Sequence, residues 1–383
     1  MKNESYIVGA LRTPIGSFGG QLSSSSAPKL GAKVIKALTN SVVEVGKDEY
    51  NEVIMGNVLS AGLGQAPARQ AALLSGLHQN IECLTINKMC GSGLKAVMLA
   101  DSAIRSQGAN AIIAGGMESM SNAPLLMTKN PTKIGHNKML DSMVHDGLWD
   151  AYNDMHMGSC AEMLASKKGY SREEQDHFAV RSYERAQNAI SNGSFERELI
   201  SVDLVEKDEE PGRAKFEKIP KIKPVFEKNG TITAANASKL NDGAAAMTLM
   251  SKENVKKYNL KPLAKIVAHC SFSHEPEWFT TAPSQVIKKI LSLSGLKKND
   301  IDIWEINEAF SAVAMSAIED FELDETRVNI HGGAVALGHP IGASGARILT
   351  TLVHSLGKYD KNLGLATLCI GGGEASAMIV EKL

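Results

Sequence analysis

The chain has 383 residues, 43% hydrophobic and 22% charged, with 41 Lys and Arg against 42 Asp and Glu, which excludes a disordered chain and allows two or three domains. A formal net charge of -1 gives no global basic excess to neutralise phosphates, so nucleic acid is not an expected partner. No apolar run approaches the roughly 20 residues that span a bilayer, and a membrane partner is not expected either.

The N-terminal stretch from Met1 to Val8 has neither an apolar signal-peptide centre nor an Arg/Ser-rich transit pattern, so the expected location is the cytoplasm, where thiols stay reduced. The five cysteines, Cys83, Cys90, Cys160, Cys270 and Cys369, form no CxxC and no His/Cys cluster. That pattern argues against a disulfide framework and against a metal site, and leaves buried small hydrophobes or reactive thiols.

Taken in chain order, Ala27-Pro28 opens an amphipathic helix that leads through Asp48 to the apolar strand Val53-Ile54-Met55 and then Asn57. Gly62-Leu63-Gly64-Gln65-Ala66-Pro67 has a faint dinucleotide-binding look, but it lacks the third glycine and a suitably spaced acidic residue; Pro67 more simply starts a helix. A glycine-rich turn, Asn87-Lys88-Met89-Cys90-Gly91-Ser92-Gly93, then opens a helix over about 94–106. The buried strand that follows runs into Gly115-Gly116-Met117-Glu118-Ser119.

From about 121 to about 233 the text changes to polar helical pieces and charged stretches, which reads as a large excursion over the core. After it the first pattern returns. Ala282-Pro283 opens a helix that leads through Asp300 to the strand Ile301-Asp302-Ile303-Trp304 and then Asn307. The turn Gly338-His339-Pro340-Ile341-Gly342-Ala343-Ser344-Gly345 opens a helix over about 346–356, and a strand ends in Cys369-Ile370-Gly371-Gly372-Gly373-Glu374. Four elements repeated in one order predict a duplicated α/β unit, with parallel strands joined by helical crossovers and matching turns side by side.

That pairing gives the cysteines different prospects. Cys90 lies at a helix-opening turn, where free N–H groups and the helix dipole can lower a thiol from about 8.5 into the range of roughly 3.5 to 7.5. His339 occupies the matching turn and Cys369 ends the strand before the second glycine turn, so the repeat brings all three together. A base beside a nucleophilic thiol is the arrangement acyl transfer requires. Asn307 follows its strand at the same end, as a helix cap or as part of that set.

Asn87-Lys88-Met89-Cys90-Gly91-Ser92-Gly93-Leu94-Lys95-Ala96, Gly115-Gly116-Met117-Glu118-Ser119, Asn307-Glu308-Ala309-Phe310, Gly338-His339-Pro340-Ile341-Gly342 and Cys369-Ile370-Gly371-Gly372-Gly373 together resemble the thiolase family, over about residues 5–380. The resemblance implies the thiolase fold: duplicated α/β halves forming a layered α-β-α-β-α core with a large inserted loop domain. It divides the chain into 1–265, which includes the insertion of about 121–233, and 266–383.

The implied activity is reversible Claisen condensation of two acetyl-CoA through an acetyl-cysteine on Cys90, activated by His339. Cys369 would act as base on the α-carbon. His339 with a water held by Asn307, and the N–H groups of Cys90 and Gly371, would form two oxyanion holes. Coenzyme A thioesters enter as substrates, with no permanently bound cofactor. Ala234 and Ser238 are implied along the pantetheine, with Ala309 and Phe310 beside them. His156 and Met157 bound the acyl pocket. Arg213 or Lys218, in a loop with six Lys and Arg against two Glu, would face the CoA phosphates.

The family also implies a homodimer or homotetramer. This chain departs from the family at Lys239, where a Gly usually follows the Ser, and at Met155 and Glu374. A 3-ketoacyl-CoA thiolase of fatty acid β-oxidation, a ketoacyl synthase and a non-catalytic acyl-CoA carrier of the same fold are the competing readings.

Overall fold

A computed structural model describes residues 4–129 and 134–383, so four residues of the predicted insertion lie outside the described residues. The first half contributes strands β1 (Ser5–Arg12), β2 (Glu52–Gly56), β3 (Glu82–Ile86), β4 (Ala111–Ser119) and β5 (Asn241–Ser251). The second contributes β6 (Ala264–Ser273), β7 (Ile303–Ile306), β8 (Leu363–Ile370) and β9 (Glu374–Lys382). Their order is β3-β2-β4-β5-β1 in one half and β7-β8-β9-β6 in the other. A short antiparallel contact of Tyr6 and Ile7 with Lys265 and Ala264 joins the halves.

The duplication predicted from the turns extends to strand pairing. The parallel pair β2–β4 corresponds to β7–β8, and antiparallel β4–β5 and β5–β1 correspond to β8–β9 and β9–β6. The counterpart of β3 is reduced to one parallel bridge between Trp304 and Val328. The expectation of parallel strands holds only toward the two outer edges of the sheet, in the pairs β3–β2, β2–β4 and β7–β8. Gly372 and Gly373, with φ of +93° and +83°, let β8 fold straight back as β9, and so short a connection permits only antiparallel pairing.

Alternation along each strand builds the layers. In the first half Ile54, Ile112 and Ala114 point inward, while Val53, Met55, Ala111 and Ile113 point outward. The inward set meets α3 (Ser92–Arg105) and the long C-terminal helix Ser344–Lys358, through Leu94, Val97, Ile348 and Leu352. The outward set is covered by α1 (Ala27–Ser41) and α2 (Pro67–Leu74). In the second half Ala366 and Leu368 face the same two inner helices, and Leu365 and Trp304 face helices Ala282–Ser294 and Ser311–Phe321 outside. The result is the layered α-β-α-β-α order.

The inner helices explain the glycine spacing. A Cβ on Gly93 would come 2.8 Å from the backbone N of Ala346, and one on Gly345 would come 2.5 Å from that of Leu94. Both distances are below any real carbon contact. The two helices therefore cross at their first turns, glycine against backbone, and the loops that precede them are pressed together. The Cys90 turn and the His339 turn become neighbours for that reason.

The insertion folds as expected into a cover. Helix α4 (Met157–Lys168) buries Cys160, Ala161 and Leu164 against Phe279, Ala312 and Val313. Helix α5 (Arg172–Ser191) starts with a reciprocal capping box between Ser171 and Glu174, worth about 1 kcal/mol of helix stability. Glu162 anchors the returning chain by accepting from Thr231 N at 2.9 Å and Ile232 N at 2.8 Å.

Candidate active site

The turn after β3 is held by its own polar groups. Asn87 Oδ1 accepts from Met89 N at 3.0 Å, and Ser92 Oγ accepts from Lys88 N at 2.8 Å while donating to Met89 O at 2.7 Å. Met89 is thereby kept at φ +47°, a left-handed conformation that costs a side chain of its type roughly 1–3 kcal/mol. A Cβ on Gly91 would run into Ile370. Cys90 is consequently presented at the mouth of α3 with little freedom.

The half-buried Cys90 thiol is pushed up to about 11, chiefly by burial, with nearby Glu118 adding to the shift and the N–H groups of Gly371 and of Cys90 itself opposing it. This corrects the expectation of a lowered thiol. The helix-end N–H groups that were to stabilise a thiolate are already used: Gly91 N donates to Lys88 O and Ser92 N to Met89 O, both at 3.0 Å. The resting sulfur is therefore protonated and needs a base.

His339 lines the same cavity and is the candidate for that base. Its backbone N donates to Asn241 Oδ1 at 2.9 Å. The Ser344 hydroxyl donates to Pro340 O at 2.9 Å, so it accepts the proton on His339 Nδ1, 2.6 Å away. Nε2 then carries the lone pair, and it is buried without a protein partner. Burial, with the Arg347 charge behind it, pulls the imidazole down to about 3, so it is neutral at physiological pH and free to accept. Asn307 holds its amide N 3.5 Å from His339 Nδ1, and its Oδ1 is likewise buried and unpartnered. Two orphaned polar atoms in one place mark a site that takes a polar ligand.

Cys90, His339, Cys369 and Gly371 line one cavity of about 100 Å³. The Cys369 thiol is fully buried and pushed well above its ordinary range by burial and by the proximity of Cys90. Two sulfurs this close do not both ionise, so they lose protons as a coupled pair. The rest of the wall is mostly apolar: Met157, Phe310 and Phe226, whose ring stacks on His156 at 4.7 Å between centroids. Burial lowers the His156 imidazole, which keeps it neutral there, and its Nδ1 accepts from Gly158 N at 3.0 Å as the cap of α4.

Of the residues singled out from sequence, Cys90, His339, Cys369, Gly371, His156, Met157, Ser238, Ala309 and Phe310 share this cavity. Asn307 stands behind His339. Ala234, Arg213 and Lys218 line a second pocket of about 240 Å³. Lys239 lines both.

Sequence reasoning missed Glu118 as a participant. It is buried and accepts from Asn57 Nδ2, Val58 N, Leu59 N and Gly342 N at 2.8 to 3.2 Å, so it ties the strand end of one half to the His339 turn of the other. Its place in Gly115-Gly116-Met117-Glu118 was visible, but its partners come from two distant segments, 57–59 and the turn at Gly342. Asn241 and Ser344, which orient His339, were missed for the same reason, although Ser344 lay within the quoted turn.

The thiolase N-terminal domain model matches residues 5–253 and the thiolase C-terminal domain model residues 260–382. The chain is 49% identical over 391 residues to a mitochondrial acetyl-CoA acetyltransferase of Mus musculus, covering all of this chain and 92% of that protein. It is 46% identical over 395 residues to an acetyl-CoA acetyltransferase of Schizosaccharomyces pombe, with both chains covered in full. Among solved structures, the Acat5 thiolase of Ascaris suum in complex with coenzyme A superposes with a TM-score of 0.96 at 45% identity, over 99% of this chain and 100% of that one. The Bacillus anthracis acetyl-CoA acetyltransferase superposes with a TM-score of 0.96 at 35% identity, over 100% and 99%. Motifs, layered fold and full-length similarity agree: the chain belongs to the thiolase family.

Proposed function

We propose that this chain is an acetyl-CoA C-acetyltransferase, which reversibly joins two acetyl-CoA into acetoacetyl-CoA and CoA. The observation that carries the reading is the meeting of two thiols and one unpartnered imidazole nitrogen in a small apolar cavity. Relatives of known name that match the whole chain are acetyl-CoA acetyltransferases, which supports it.

The chemistry balances on these groups. His339 Nε2 takes the Cys90 proton as the sulfur attacks the thioester carbonyl. The oxyanion that forms faces the Cys90 and Gly371 N–H groups, the two that already point at the sulfur. CoA leaves as a thiol with the proton of Cys369, so acetyl-Cys90, a Cys369 thiolate and a His339 imidazolium remain. The Cys369 thiolate then takes an α-proton from the second acetyl-CoA. The enolate oxygen is met by His339 Nε2–H, with Asn307 beside it. The enolate carbon attacks the acetyl group, and the departing Cys90 sulfur recovers its proton from His339. Both thiols and the neutral imidazole are restored.

The enclosing Met157, Phe226 and Phe310 favour short acyl chains over the longer ones of β-oxidation. Thiolysis of 3-ketoacyl-CoA esters of increasing length tests this: activity falling beyond four carbons is expected, and activity rising with length would overturn it. Alkylation of Cys90 by iodoacetamide at pH 9 to 10, suppressed by prior acetyl-CoA because the sulfur is then acetylated, separates the enzyme from a non-catalytic carrier. The same reading has CoA lying through the Arg213 and Lys218 pocket, no permanently bound cofactor, and a homodimer or homotetramer in the cytoplasm. Several relatives are named as mitochondrial, and cell fractionation decides between the two compartments.

A further inference from the structure

Lys239 is an ammonium group among backbone carbonyls, and among the described residues no carboxylate forms an ion pair with it. Its Nζ donates to Ala237 O at 2.7 Å, Val335 O at 3.2 Å and Ala235 O at 3.5 Å, and it stands 5.6 Å from the centre of the Tyr183 ring. These acceptors belong to two unrelated parts of the chain. Ala235 and Ala237 are in the segment that includes Ala234 and Ser238. Val335 is in the short helix Ala334–Leu337, which ends one residue before Gly338 and His339.

The Val335 peptide is held at both ends, because its N donates to Glu308 at 3.2 Å while its oxygen accepts from Lys239. The same side chain lines the reaction cavity on one side and the Arg213 and Lys218 pocket on the other. A chain that carries Gly here has no group to fill that place.

We propose that the Lys239 ammonium is a positioning residue that joins the loop at 233–238 to the segment bearing His339, and so sets the wall along which the thiol-bearing arm of CoA reaches the two cysteines. This rests on the CoA reading of the cavity. Three carbonyl oxygens converging on one point repel each other unless a cation lies between them, and a tethered cation holds them at no translational cost. Removing the ammonium would let the loop relax. The binding arm would suffer first, since the Lys239 hydrogen bonds go to Ala235, Ala237 and Val335, while Cys90 and Cys369 hang on the glycine turns.

Burial lowers the Lys239 ammonium to about 8, opposed by the charges of Glu210 and Glu308. The other charged or titratable groups around it are Arg213, Lys215 and Lys218 across the outer pocket, the phenol of Tyr183, and Cys90, His156, His339 and Cys369 across the reaction cavity. With the folded ammonium lowered to about 8, the joint is intact below that pH and opens as the pH rises through it.

The test compares wild type with Lys239→Met, which keeps the stem and removes the cation, and Lys239→Gln, which keeps a neutral donor. For Lys239→Met the expectation is a CoA dissociation constant and a KM for acetyl-CoA raised about tenfold or more, with kcat at saturation within about twofold, and a smaller rise for Lys239→Gln. Ammonium chloride lowers the raised KM and tetramethylammonium chloride does not. An unchanged KM, or a raised KM indifferent to ammonium, overturns the proposal.

Should the variants fail to fold in plain buffer, their refolding decides: Lys239→Met regains structure and CoA binding in ammonium chloride and not in tetramethylammonium chloride, and equal behaviour in the two salts overturns the proposal. Titration calorimetry with CoA reads this joint even if Cys90 never becomes acetylated, so failure here is distinct from failure of the acetyltransferase reading.

Discussion

The turns that open the two inner helices are repeats of one unit, yet they do opposite work. The Cys90 turn is half-buried and bonded to itself, and one residue is held at φ +47° to aim a thiol outward. The His339 turn is buried and bonded to others: to Asn241, to Glu118 through Gly342 N, and internally to Ser344. Duplication supplied the crossing glycines that press the turns together. Divergence then gave one turn a proton donor and the other an acceptor. The lesson is that each group is tuned for transfer by burial in its neutral form, with no ion pair involved.

The comparison breaks most sharply when one partner is removed. Cys90→Ala should reduce acetyl transfer about 10⁴-fold or more, and no acetylated enzyme should appear by mass spectrometry after incubation with acetyl-CoA. Cys369→Ala should still acquire the acetyl group at a rate within severalfold of wild type, yet lose condensation by about 10² to 10⁴, the usual contribution of a positioned base. Normal condensation in that variant would remove Cys369 from the α-carbon step.

The neutral resting state of the first turn has a sign that can be read directly. With the Cys90 thiol pushed up to about 11, the thiolate fraction, and with it alkylation by iodoacetamide, should rise about tenfold for each pH unit between 7 and 10. A rate already level at pH 7 would mean a lowered thiol and a pre-ionised nucleophile.

This is also the point at which the sequence misled. Glycine positions, the repeat and the residues of the reacting set were legible because each glycine answers a local demand: a turn, or a helix crossing where Cβ does not fit. Burial is different, since the desolvation of Cys90 depends on Ile370 and that of His339 on a whole wall. Likewise Lys239 could be seen only as a departure from a pattern, because Val335 lies 96 positions away in the chain. The antiparallel return of β9 was within reach, encoded in three consecutive glycines, but the helical crossovers elsewhere drew the expectation toward parallel strands.

The glycine crossing makes a further prediction that concerns stability more than chemistry. Gly345→Ala should cost about 1–3 kcal/mol, read as a lowered melting temperature, because the new methyl must displace the backbone of Leu94. If the helices can slide apart to admit it, the turns separate as well, and acetylation of Cys90 slows in step with the loss of stability. Full activity with normal stability would mean that the crossing does not set the distance between the turns.

The smallest effect is expected where the Cys90 turn is tied to a third one, the Gly371–Gly373 turn between β8 and β9. Lys88, on the Cys90 turn, pairs with Glu374, just past the third glycine, at 2.5 Å, with 21% and 32% of the side chains exposed. An ion pair so open to water contributes about 1 kcal/mol or less, and less again at high salt. Glu374→Ala should therefore lower stability by no more than that and leave acetylation within about threefold, because Gly91 against Ile370 and Glu118 against Gly342 already fix the turns without it. A larger loss, relieved by no repacking of the core, would make the surface pair and not the buried glycine contacts the element that holds nucleophile and oxyanion donor together; measuring the rate at low and high salt decides, since only the ion pair responds.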